Sequence, residues 1–320
     1  MRNATLPAAL AGLLLLTACG TERPGDASAK PSGSASGGGC AARPGDAPAE
    51  HGVTLTGSGT STGAGSSTGT GTGTGIGTGS PTDDPSGGTA RPCAEYTVTN
   101  KETEPLTYTI TFEFLSESGQ AMTNAEETVE ALAPGKTVRR TVSAADVPPD
   151  AAGWGRVRIV TVRSVPTAEA PSEAGPCPAS GVRVYADDGD AAMGLRVVGL
   201  HLENCGTTPY PLHGYPRIQL RDEDRGPVTG VELLQGGETI AGGTGAEGPA
   251  RPLVLRPGER AHAGLVWRNT VEGGVGDPVN APYARVWAKP GAAPVTVTPE
   301  LDLGTTGKLG VGPWKKDGTG

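Results

Sequence analysis

Glycine and proline interrupt this chain so often that no long helix can be laid along it: 52 Gly and 29 Pro stand among 320 residues, and either residue weakens or breaks a helix interior. Between these breaks the sequence alternates apolar with polar positions, the period of a strand. The clearest case puts Leu106, Tyr108, Ile110, Phe112 and Phe114 on one face and Thr107, Thr109, Thr111 and Glu113 on the other. Both phenylalanines of the chain lie on that first face, which predicts the centre of a core and not a ligand platform. Strands are also expected near Val53 and at Glu95 to Thr99, Val138 to Val142 and Arg156 to Val162, enough for a β-sandwich over 40–164. The same grammar returns at Val182 to Tyr185, Leu195 to Glu203, Arg217 to Leu220, Leu253 to Leu255, Ala261 to Trp267, Ala284 to Ala288 and Val295 to Val297. That predicts a second sandwich over 177–304. The two halves echo each other, since Asn100 and Asn204 each stand five residues before a proline, and Leu132-Ala133-Pro134-Gly135 matches Leu255-Arg256-Pro257-Gly258. The expected class is all-β, with two sandwich domains.

Aromatic residues are scarce, with 2 Phe, 6 Tyr and 4 Trp, so each core is thin and covalent staples would matter. Of the five cysteines, Cys40 and Cys93 precede the break near Pro171, and Cys177 and Cys205 follow it. Four cysteines allow three pairings; their distribution favours Cys40 with Cys93 and Cys177 with Cys205, each bond worth roughly 3 to 4 kcal/mol in the chain-entropy model. No Cys-x-x-Cys pair supports a zinc site, and no cofactor or metal is expected.

The fifth cysteine belongs to the amino terminus. Arg2 precedes an apolar run from Leu6 to Leu16, too short for a permanent membrane helix. Leu16-Thr17-Ala18-Cys19 closes it and resembles a bacterial lipobox. The resemblance implies a signal peptide over 1–18 and a palmitate-type diacylglyceryl anchor on Cys19, which would hold the chain to the outer face of the cell membrane. Residues 19–39, rich in Ser, Gly, Pro and Ala, read as a flexible tether. A Gly/Thr/Ser tract over 57–89 reads as a disordered loop inside the first sandwich, with a composition that suits O-glycosylation. Residues 165–176 read as a linker between domains, and 305–320, with Lys308, Trp314, Lys315 and Lys316, as a solvated tail. A formal charge of −8 and the absence of a long basic stripe argue against nucleic acid as a partner.

The second half carries a more specific pattern: Cys177, then Leu202-Glu203-Asn204-Cys205, then Leu212-His213-Gly214-Tyr215-Pro216, Ile218 and Leu220, and the acidic turn from Asp222 to Gly226. Over about 177–297 it resembles a domain of unknown function (domain of unknown function 4232) common in actinobacterial secreted lipoproteins. The resemblance implies an immunoglobulin-like sandwich and an envelope location, and it brings no enzymatic residues.

Other candidate sites are weaker. Gly59-Thr60-Ser61-Thr62-Gly63 fits the pattern of a nucleophile elbow, but Ser61 lies in a Gly/Thr tract without the strand and helix that such a turn needs. His51, His201, His213 and His262 show no paired spacing and read as surface or turn residues. Asp187, Asp188 and Asp190, and Asp222, Glu223 and Asp224, sit beside glycines as turn formers and lack calcium-loop spacing. Trp267 and Trp287 are expected in the core. Tyr210 and Tyr215, in a proline-rich turn, are the candidates for a ligand surface. The expected function is a non-catalytic binding or interaction module that takes an envelope protein or glycan. The alternatives are a structural spacer or accessory subunit, and an unrecognised hydrolase.

Overall fold

A computed structural model describes residues 40–44, 50–62, 90–144, 154–273 and 276–318; the lipobox with Cys19, the tether and most of the Gly/Thr/Ser tract lie outside the described residues. Residues 38–320 form one compact unit, and the described part is all-β, its one helical turn being a 3-10 segment at Thr167–Glu169.

The first module has seven strands: β1 (Cys40–Pro44), β2 (Val53–Thr62), β3 (Ala90–Thr99), β4 (Leu106–Ser116), β5 (Ala121–Leu132), β6 (Thr137–Ser143) and β7 (Trp154–Pro166). One sheet runs β1-β2-β3-β6 and the other β5-β4-β7, with antiparallel pairing throughout. The alternation read from Leu106 to Phe114 is the central strand β4, whose apolar face is buried at every position. That face meets Val53, Leu55, Tyr96, Val98 and Val142 of the other sheet in a single core. The rings of Tyr96 and Phe112 pack across the interior with centroids 4.8 Å apart. A disulfide joins Cys40 of β1 to Cys93 of β3.

The second module contains β8 (Val182–Ala186), β9 (Asp190–Ala192), β10 (Leu195–Asn204), β11 (Tyr210–Leu212), β12 (Arg217–Arg221), β13 (Glu232–Gln235) and β14 (Leu253–Leu255). It continues with β15 (Arg260–Arg268), β16 (Asn280–Ala281), β17 (Tyr283–Trp287), β18 (Val295–Val297), β19 (Leu301–Asp302), β20 (Lys308–Val311) and β21 (Lys315–Lys316). The main sheet runs β13-β20-β15-β10-β8, with β9 on β10 and β21 on β15; β12-β17-β18 and two short pairs form the opposing layer. Leu200, Leu202, Leu255, Leu265 and Trp267 fill the space between them. Cys177 is bonded to Cys205, so both disulfides lie within modules as expected.

The sequence echo is one physical device used twice. Asn100 and Asn204 are 0% and 1% exposed, and a buried amide must find partners. Asn100 Nδ2 donates to the carbonyls of Glu104 and Leu132 at 2.8 and 2.7 Å, while its Oδ1 accepts from Glu102 N at 2.9 Å. Asn204 Nδ2 donates to Thr208 and Leu255 at 2.9 and 2.8 Å, and its Oδ1 accepts from Gly206 N at 3.1 Å. The main chains match too: Gly135 N donates to Asn100 O at 2.8 Å and Gly258 N to Asn204 O at 2.7 Å. Each asparagine thereby ties the end of one strand to a Leu-x-Pro-Gly turn, and the registers Leu106↔Leu132 and Tyr210↔Leu255 follow from it.

Four expectations change. Residues 305–318 of the expected 305–320 tail do not form a solvated tail: β20 lies between β13 and β15, and Trp314 is buried, donating from Nε1 to Ala288 O at 2.9 Å. The physical reason is that without β20 one edge of β15 would be left unpaired, and Leu309, Val311 and Trp314 belong to the second core. The 165–176 stretch begins inside β7, with Val165 buried, and continues through Glu169 into contacts with the second module. Residues 57–62 of the Gly/Thr/Ser tract continue β2 between β1 and β3. Trp287 is half-buried and not in the core; the guanidinium carbons of Arg217 and Arg285 lie 3.8 and 4.9 Å from its ring centroid.

Candidate functional site

The two modules meet along β7 and the 3-10 turn, where charged groups hold them. The Arg163 side chain of β7 is 13% exposed and carries two carboxylates of the second module, Glu300 at 2.5 Å and Glu223 at 2.9 Å. Burial alone would lower its affinity for the proton, but the bonds and charges of Glu300 and Glu223 hold the guanidinium above its ordinary range. Its cationic carbon also lies 5.7 Å from the ring centroid of Tyr283, whose hydroxyl accepts a hydrogen bond from Ser164 N at 3.3 Å. A second clamp joins Glu169 to Arg285 of β17 and to Thr296 Oγ1 at 2.8 Å. Arg225 reaches Glu102 at 3.0 Å.

These clamps leave clefts beside them. The outward threonines of β4, Thr107 and Thr109, with Glu126 and Arg163, form one wall of a cavity of about 360 Å3; Tyr185, Asp187, Asp188 and Thr298 form the other. Thr111, Thr161 and Glu300 extend it along the junction. A further cleft of about 320 Å3 on the other side of the clamp is lined by His51, Lys101, Glu223 and Arg225. Hydroxyls and carboxylates dominate the first cleft, so it can present many hydrogen-bond acceptors to a polar or cationic segment.

Several of the described residues singled out from the sequence have places in this frame. Ser61 stands in the regular register of β2, opposite Cys40 on one side and Arg91 on the other, which is not the strand-to-helix turn of an elbow. Asp222 closes a turn by accepting from Gly226 N at 2.7 Å, and its neighbour Glu223 serves the Arg163 clamp. Asp187 accepts from Gly189 N and Gly199 N and faces the junction. Tyr210 packs partly against the second core, in the register that Leu106 holds in the first module. Lys289 Nζ lies 3.5 Å from its ring centroid, and burial pushes its hydroxyl above the ordinary value. Tyr215 follows Gly214, which has a positive φ of 86°, and is half-exposed. Both tyrosines are half-buried, and the Tyr210 ring carries Lys289 on one face. The cleft itself was missed because its walls come from β4, β5 and the segment after β8, and no local pattern announces a junction.

Fold and site together define a pair of clamped all-β sandwiches with a polar junction. Residues 177–315 match the family described as Domain of unknown function (DUF4232). The match runs past residue 304 and takes in β20, in keeping with the place of that strand in the second module. No curated protein matches the chain.

Proposed function

We propose that this chain is a lipid-anchored, non-catalytic binding protein of the cell envelope, held to the membrane through Cys19, that takes a protein or glycan partner in the cleft between its sandwiches. The observation that carries this reading is the Arg163 clamp, which fixes two modules against each other while leaving the hydroxyl-lined walls of Thr107, Thr109, Tyr185 and Asp188 uncovered. A spacer needs no such cleft. The lipobox supports the anchor, and among the described residues no helix is long and apolar enough to cross a membrane.

Two experiments test the reading. Crosslinking in intact cells followed by capture should recover a reproducible envelope partner with the wild-type chain and lose it with Thr109→Trp, while Tyr210→Ala retains it; equal capture by all three would refute the cleft and favour the spacer. Labelling with a palmitate analogue should mark the wild type and spare Cys19→Ser, and a labelled Cys19→Ser chain would refute the anchor.

A further inference from the structure

Two histidines far apart in the sequence become neighbours on the outer face of the main sheet of the second module. His201 of β10 stands opposite His262 of β15 in the antiparallel register, an arrangement that sets opposed Cβ atoms about 5 Å apart. Tyr185 of β8 stands opposite His201 on its other side, and the two rings stack at 5.0 Å. Each imidazole gives one nitrogen to a carboxylate: His201 Nε2 bonds Asp187 Oδ2 at 2.8 Å, and His262 Nδ1 bonds Asp317 Oδ1 at 2.6 Å. Among the described residues, His201 Nδ1 and His262 Nε2 have no hydrogen-bond partner. Both side chains are open to solvent, 30% and 40% exposed.

The carboxylate on His201 is itself held. Asp187 Oδ1 accepts from Gly199 N at 2.7 Å and Gly189 N at 3.1 Å, and a Cβ at position 199 would strike the Asp187 carboxylate. Glycine at that position is therefore what lets the acid lie over the strand and reach the ring. Neighbouring cations are engaged elsewhere: Lys315, opposite His262, donates to Gly245 O at 2.7 Å, and Arg183 and Arg260 both bond Glu203. An imidazole that gives one nitrogen to a carboxylate is held in orientation with its other nitrogen free, the outer-shell arrangement of metal-binding histidines. Two such free nitrogens on facing strands suit an ion that favours imidazole, and copper(II) stands highest in affinity among the divalent first-row ions.

We propose that His201 and His262 form a two-imidazole site for copper(II), with Asp187 and Asp317 as the outer carboxylates. Among the described residues no three His, Cys, Asp or Glu side chains gather to hold a metal, so water completes the coordination and the ion keeps open positions. No local motif announces this pair, because its spacing is set by the register of β10 on β15.

The test is titration of the intact, disulfide-bonded chain with copper(II), read by electron paramagnetic resonance, which counts coordinating nitrogens. One saturable ion per chain with two imidazole nitrogens is expected. His201→Ala and His262→Ala should each leave one nitrogen and weaken binding by more than about tenfold, and Asp187→Asn and Asp317→Asn should weaken it by about tenfold. His51→Ala and His213→Ala should change nothing. Circular dichroism without metal establishes that the variants fold. No saturable ion, a wild-type spectrum from folded His201→Ala or His262→Ala protein, or loss of the signal in the His51 or His213 variant would overturn the proposal.

Discussion

The two sandwiches share a corner and differ in what they build between its halves. In the first module the chain leaves Asn100, runs out along β4 and returns along β5 to Leu132, so one long hairpin spans the corner. In the second it leaves Asn204, pairs only Tyr210 to Leu212 with Leu253 to Leu255, and spends the rest on β12, β13 and a glycine-rich excursion. That excursion buries Ala246 where a Cβ on Gly237, Gly264 or Gly312 would collide with it. The first module therefore keeps an open, threonine-bearing outer face on β4, which becomes a wall of the junction, whereas the second covers part of its own sheet with loop. Conserving the corner while varying the arm sets strand register once and leaves each outer face free for a different use.

Cutting the chain after residue 304 breaks the comparison most severely. It removes Leu309, Val311 and Trp314 from the second core, and the second module should fail to fold while the first keeps its transition in calorimetry; retention of both transitions would contradict the place of β20. Reducing the disulfides comes next. Their separations of 53 and 28 residues correspond to about 4 kcal/mol for each module in the chain-entropy model, with the first module losing slightly more, as denaturant titration of Cys93→Ser and Cys205→Ser chains would read. Asn100→Ala and Asn204→Ala should each cost about 3 kcal/mol, because each strands buried partners of the lost amide. Unequal losses would mean that the two corners do different work. Arg163→Met should cost about 1 to 2 kcal/mol and uncouple the unfolding of the modules, the effect being limited by the half-exposure of Glu223 and Glu300.

The smallest effect separates the cores themselves. Tyr96 in the first core has a buried hydroxyl without a hydrogen-bond partner among the described residues, and burial pushes its pKa up to about 12 from 10.0, whereas the Tyr283 hydroxyl at the junction accepts from Ser164 N. A folded value above the unfolded one means that the stability is intact below about pH 10 and falls as the pH rises toward 12. Tyr96→Phe should raise stability by up to about 1 kcal/mol at neutral pH and remove that alkaline decline; a loss of stability instead would reveal a partner for the hydroxyl.

Much of this architecture was legible. The alternation from Leu106 to Phe114 located a central strand, because every apolar position there packs inward. The cysteine distribution located both disulfides, and the matching Asn and Leu-x-Pro-Gly elements showed an echo between the halves, though not the hydrogen-bonded corner that joins them. The segment from Lys308 to Trp314 misled because its lysine and glycines look solvated, yet Lys308 sits at the exposed start of β20 and Gly310 is needed where Gly236 and Gly237 press close. Tyr210 stands opposite Leu255 as Leu106 stands opposite Leu132, but it stays half-buried where Leu106 is fully covered. Neither the Arg163 clamp nor the His201 and His262 row could be read, since both depend on which elements become neighbours.

The position of β20 also bears on how the second module comes into being. β10 and β15 pair with each other early in the order of synthesis, but the flank of β15 that receives β20 stays bare until residues 308–311 have been made. During that interval the half-made module presents a sheet margin ready to pair with any extended chain, the usual route to misassembly. The first module can close its core by residue 166 and has no such wait. Any slowing of synthesis within the last stretch of the chain should therefore endanger the second module alone.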